Sequence, residues 1–113
     1  MAKQTQMLKG VLEGCILEIV SQEESYGYAV CEQLIQAGFS HINEGIVYPI
    51  LIRLEKKGWL QSEKRPSPYG PKRKYYQLTE MGKKERNEFI LHWTETKGRV
   101  DQILERRIGN ENT

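Results

Sequence analysis

Asn43-Glu44-Gly45-Ile46-Val47-Tyr48-Pro49-Ile50-Leu51-Ile52-Arg53-Leu54-Glu55-Lys56-Lys57-Gly58 is the stretch on which the fold turns. Asn43 suits an N-cap and Glu44 suits the positive end of a helix dipole, so a helix is expected over about 44–57. Val47, Leu51 and Leu54 recur at helical spacing and form one apolar stripe. Pro49 falls early in the helix, where a missing N–H does least damage, and Gly58 ends it. Glu44, Gly45, Ile46, Tyr48, Pro49, Arg53 and Lys56 then face outward. Tyr48 reads either as a core tyrosine or as a phosphate contact. The second is favoured because Val47, Leu51 and Leu54 already fill the inner stripe.

Working upstream, Leu8, Leu12, Cys15, Ile16 and Ile19 form the stripe of a first helix, widened by Val11, Leu17 and Val20. Ser25 is expected to cap a second helix over Tyr26–Ala37 with Tyr26, Val30, Leu34 and Ala37 inward and Gly38 at its end. Gly27 in its first turn permits close approach of a neighbouring helix. Downstream the period changes. Residues 59–65 read as a strand, 66–71 as a Pro/Gly-rich turn and 74–78 as a returning strand, with Tyr75 and Tyr76 on opposite faces. Thr79 can cap a long final helix from Glu80 to about Ile108. Phe89, Trp93, Val100, Ile103, Leu104 and Ile108 lie on one side of it, with no earlier helix left to cover them, and Gly98 marks a bend or close contact. The expected fold is mainly α with a two-stranded β-wing. A winged helix-turn-helix occupies 1–78, and a C-terminal dimerisation helix and tail occupy 79–113. In that geometry the third helix enters the major groove and the second crosses the backbone.

The charge distribution agrees. Over 113 residues the net charge is only +2, yet residues 53–74 carry +6 and the remainder −4. A concentrated positive segment in a near-neutral chain is the footprint of a nucleic-acid reader, although a solvated face would also produce it. Cys15 and Cys31 read as reduced core thiols, and neither forms a ligand pattern with His41 or His92. No metal or cofactor is expected, and a metal sensor on this scaffold is disfavoured. There is no phosphate-binding Gly-rich loop or nucleophile elbow, which argues against an enzyme. A protein-interaction module is the other rival, opposed by the basic segment. The longest apolar runs are a few residues, and the opening residues lack a signal peptide's apolar stretch, so a cytoplasmic protein without membrane contact is expected.

Three stretches together resemble the PadR family of bacterial transcriptional regulators, in the short form with a single C-terminal helix. They are Leu8–Leu12 with Tyr26-Gly27-Tyr28, Glu44–Gly58, and Gly70–Gly82, and the resemblance covers about residues 8–82. It implies a homodimer joined by the C-terminal helix packed against the first helix, acting on operator double-stranded DNA. It also implies repression of detoxification, efflux or stress genes, in some members relieved by small aromatic or drug-like ligands. Position 46 departs from the family's small hydroxyl residue. Ile46 either meets a thymine methyl or points inward. The candidate DNA contacts are therefore Glu44, Ile46, Tyr48, Arg53, Lys56, Lys64, Tyr69, Lys72 and Arg73. The candidate dimer contacts are Leu8, Leu12, Phe89, Trp93, Val100, Leu104 and Ile108. Trp93 is either the effector contact or a plain interface anchor.

Overall fold

The computed structural model describes Leu8 and residues 10–111, the last five of these by backbone alone. The element order is α1 (Val11–Gln22), α2 (Gly27–Gln36), α3 (Glu44–Lys56), β1 (Leu60–Ser67), β2 (Gly70–Leu78) and α4 (Glu80–Glu111). Ile16, Leu17 and Val20 of α1 meet Val30 and Leu34 of α2, Val47, Leu51 and Leu54 of α3, and Leu60 and Tyr76 of the hairpin in one core. The α3 stripe is as expected, with Ile50 added. On α1 the buried hydrophobic side chains are Leu12, Ile16, Leu17 and Val20, whereas Cys15 and Ile19 sit at the core's edge. The shift follows from neighbours on two sides, since α1 contacts α4 as well as α2 and α3.

Two helix-end expectations are corrected. Ser25 does not cap α2. It is buried in an extended conformation, and its backbone pairs with Tyr76 through N–H donors in both directions at 3.2 and 2.7 Å. The N-cap passes to Tyr26, whose side chain makes no capping bond. Ala37 is exposed, because α2 ends at Gln36, and Cys31 takes an inward place instead.

The hairpin is longer than its Pro/Gly content suggests. Pairing runs from Leu60↔Leu78 through Arg65↔Arg73 to Ser67↔Gly70, which reduces the tip to Pro68 and Tyr69. Pro66 is accommodated where the register shifts between Arg65 and Ser67: it stands opposite two β2 residues, Pro71 and Lys72, and none of the three has a registered partner.

Thr79 caps α4 as expected: Gly82 N donates to its Oγ1 at 3.0 Å, and that hydroxyl donates to the Gly58 carbonyl at 2.6 Å. The foot of α4 docks on α1. Phe89 lies flat against Gly14, where an added Cβ would stand 2.2 Å from the ring, and Arg86 Nε donates to Glu18 at 2.7 Å. The expectation that no earlier helix covers the α4 stripe is thus corrected at Phe89. Beyond that contact every residue from Leu91 to Val100 is exposed, and the molecule measures 63 × 29 × 22 Å.

Candidate nucleic-acid interface

The outer face of α3 is built from its cap. The Asn43 side chain accepts from Ile46 N at 3.2 Å and fixes the first turn, leaving Glu44, Gly45, Tyr48, Pro49, Ile52, Arg53 and Lys56 exposed. Ile46 is half-buried and packs at the core's edge. Tyr48 combines its two expected roles. Its ring occupies the space that a Cβ on Gly27 would take, 2.1 Å from that position, while 42% of the residue stays exposed. Its hydroxyl donates to Glu44 Oε1 at 3.3 Å. Burial, and then the Glu44 carboxylate, push the phenol above its ordinary value, so it remains a donor. The close neighbour that Gly27 admits is therefore this side chain.

Strand alternation sorts the wing into two faces. Leu60, Ser62 and Lys64 share a face with Leu78, Tyr76 and Lys74, which is the side of the core and α3, and Lys72, within the register shift, lines a cleft beside Tyr48 and Ile52. On that face the Glu55 carboxylate of α3 accepts from Ser62 Oγ at 2.6 Å and from Lys74 Nζ at 3.0 Å. The Ser62 bond, with Lys74 second, holds Glu55 below its ordinary value. α3 and the wing are thereby tied together. Gln61, Glu63 and Arg65 share the other face with Gln77, Tyr75 and Arg73. There both guanidinium ends of Arg65, together with Gln77, donate to Glu24, whose carboxyl is held at about 2 mainly by the Arg65 bonds. Tyr75 lies 5.2 Å from Tyr26 at a 59° tilt. Arg65 lies 4.8 Å from the Tyr75 ring, and Arg73 lies 4.4 Å from the Tyr26 ring.

These contacts redistribute the basic stretch. Arg53 and Lys57 face Glu13 of α1 at 3.5 and 3.6 Å, while Arg65 and Lys74 are held as above. Lys56, Lys64 and Lys72 have no ion-pair partner among the described residues, and Tyr69 projects from the tip, 94% exposed. A cleft of about 550 Å³ opens between α2, α3 and the wing, lined by Tyr26, Tyr28, Tyr48, Ile52, Lys72 and Arg73 among others. Sequence reasoning missed Glu13, Glu24, Glu55 and Tyr28. The three acids find cations far along the chain, so no local pattern marks them. Among the described residues no group of His, Cys, Asp or Glu converges as a metal site would require, and no helix is long and apolar enough to cross a membrane.

Residues 16–88 match the family described as transcriptional regulator PadR-like. The chain belongs to that PadR-like family. It is similar to a PadR-like transcriptional regulator of Bacillus cereus, with 45% identity, 88% of this chain and 96% of that one covered, and a TM-score of 0.79. A Streptococcus transcriptional regulator matches at 44% identity and TM-score 0.79, covering 87% and 96%. An uncharacterized protein of Lysinibacillus sphaericus is 30% identical over 101 residues, 88% of this chain and 93% of that protein. PadR-like membership makes this chain a DNA-binding transcriptional regulator with a winged helix, not an enzyme.

Proposed function

We propose that this chain is a homodimeric repressor that grips operator DNA with α3 and the wing and is released by a planar aromatic ligand held at the dimer interface. One observation carries the reading. On α4, Ile90, Leu91, Trp93, Val100, Ile103 and Leu104 are each at least 41% exposed. All but Leu91 recur at spacings of three, four and seven residues on a helix that leaves the body of the protein. Such a row in water is costly, and pairing with a second copy would bury it. The Arg99–Glu95 pair at 3.5 Å supports the same helix on its other side, and the Lys97–Asp101 pair at 2.7 Å runs along the edge of the row.

Within that arrangement the winged helix of residues 1–78 supplies the DNA contacts and residues 79–113 the dimer. A two-fold dimer would set two α3 helices toward half-sites about one helical turn apart. Glu44, Ile46, Tyr48, Lys56, Lys64, Tyr69 and Lys72 are the proposed DNA contacts, with Arg53 shared between Glu13 and phosphate and Arg73 at the cleft's edge. Trp93, Val100 and Leu104 are the proposed dimer contacts, with Leu8 beside them. Leu12 and Phe89 are already covered within the protomer, the first 5% exposed in the core and the second on Gly14. Ile108 lies outside the described side chains. Trp93 is 44% exposed and offers the largest stacking face of the row, which favours it as the ligand contact. Sedimentation equilibrium at micromolar concentration tests the arrangement. Twice 13.2 kDa is expected, and a monomer overturns it.

A further inference from the structure

We infer that Glu44 is a base reader, selecting a cytosine in each half-site by accepting a hydrogen bond from its N4 amino group, with Tyr48 as the residue that positions it. The inference deepens the reading of α3 as the major-groove helix and rests on it. N-terminal residues of a recognition helix are the ones that reach base edges, and Glu44 is the first residue of α3 and exposed. The stretch from Glu44 to Ile52 holds no Arg, Lys, Asn or Gln, the side chains that read guanine and adenine bidentately. Its outward residues Gly45, Pro49 and Ile52, and the half-buried Ile46, carry no side-chain hydrogen-bonding group. The next cation, Arg53, faces Glu13. Polar readout from the front of the helix therefore falls on Glu44 and the Tyr48 hydroxyl.

A carboxylate at this place repels phosphate, so it has no use as a backbone contact. Its chemistry is to accept from an exocyclic amine, and the major groove offers two, cytosine N4 and adenine N6. Adenine places the N7 acceptor beside its amine, which a carboxylate opposes. Cytosine places only a C–H there. Tyr48 completes the device. Its ring is seated on Gly27 and its hydroxyl donates to Glu44 Oε1 at 3.3 Å, which fixes the carboxylate while leaving Oε2 without a partner among the described residues. Glu44 also complements the helix dipole, but that role predicts stability alone and no base preference.

Selection of bound sites from a random-sequence duplex pool, with the full-length chain, tests the inference. The wild-type motif should contain one C·G pair per half-site whose replacement weakens binding roughly ten-fold. Glu44→Gln should erase or redirect that single preference, toward A·T if the amide reads adenine, with the other positions unchanged. Tyr48→Phe, which keeps the ring on Gly27, should blunt the base preference at the same position alone, any loss from its own DNA contact being uniform across sequences. Glu44→Ala, compatible with a helix, provides a second variant if the first folds poorly. Salt-dependent binding to random duplex with a motif that none of these variants alters overturns the inference and leaves the DNA-binding reading standing. A preference lost at a base pair other than C·G also overturns it. A wild-type chain with no salt-dependent affinity for duplex DNA overturns the underlying reading itself.

Discussion

Gly27 and Tyr48 form a contact whose energy can be isolated. A Cβ placed on Gly27 falls 2.1 Å from Tyr48 Cε1 and 2.8 Å from its Cδ1 and Cζ. Carbon atoms pack best at about 3.5–4.0 Å, so in Gly27→Ala the ring must retreat by about 1.5 Å or swing off α2. The backbone itself accepts alanine, since Gly27 is the first residue of α2 and is not among the positive-φ glycines. Alanine is in fact the better helix former by up to about 1 kcal/mol. Overpacking costs about 1–3 kcal/mol. Because the ring is 42% exposed and has an outward escape, the low end applies, and after the alanine gain a net loss of no more than about 1 kcal/mol is expected.

Urea unfolding of the wild type, Gly27→Ala, Tyr48→Ala and the double variant, at one fixed protein concentration, measures this directly. In the Tyr48→Ala background the three closest neighbours of the added methyl are gone, so Gly27→Ala should become neutral or stabilising. A coupling of at least about 1 kcal/mol is expected. Effects that add to within about 0.5 kcal/mol would show that the ring is not seated on Gly27, and the account of how Glu44 is positioned would fall with it.

Acid sensitivity should run through Glu24. Its carboxyl titrates at about 2 in the fold against an ordinary 4.5, and a depressed value contributes stability that is present above about pH 4.5 and lost as pH falls through 2. Glu24→Gln should therefore flatten the stability curve across that window in denaturation series, and an unchanged acid limb would refute the Glu24–Arg65 link as a stabilising contact. Lys72→Ala should lower the slope of log affinity against log salt by about 1, while Arg73→Ala, whose guanidinium lies on Tyr26, should change it less and loosen the wing instead. Equal drops would make Arg73 a phosphate contact too. A planar aromatic dye should quench tryptophan fluorescence and lose its binding in Trp93→Ala while Trp59 remains. Equal binding to that variant, or none to the parent, would leave Trp93 a packing residue only.

What the sequence made legible was local. Asn43, Val47, Leu51 and Leu54 lie within one helix, and their spacing alone places the cap, the buried stripe and the outer face that the structure displays. The strands on either side of Pro68-Tyr69 could be read for the same reason, although a bulge beside Pro66 let them run farther than the proline count implied. Ser25 was misread as a cap because its real partner, Tyr76, lies on β2, and a short polar residue before a helix carries no mark of a distant strand. Phe89 was assigned to a partner chain for a similar reason. Periodicity shows that a face is apolar, but only the docking of the ring on Gly14 shows which chain covers it.

Charge is the most instructive case. The excess between Arg53 and Lys74 suggested a uniform basic surface, yet Glu13, Glu24 and Glu55 engage Arg53, Lys57, Arg65 and Lys74. Each of these acids also performs structural work, joining α1 to α3, the turn before α2 to the outer face of the wing, and α3 to its inner face. Pairing thus uses those cations to hold the elements together and leaves Lys56, Lys64, Lys72 and Arg73, the last stacked on Tyr26, to set the field, with Lys72 and Arg73 both at the cleft between the wing and α3. The acids in this basic region therefore sharpen the surface proposed to face DNA, by deciding which positive charges remain available and where they point.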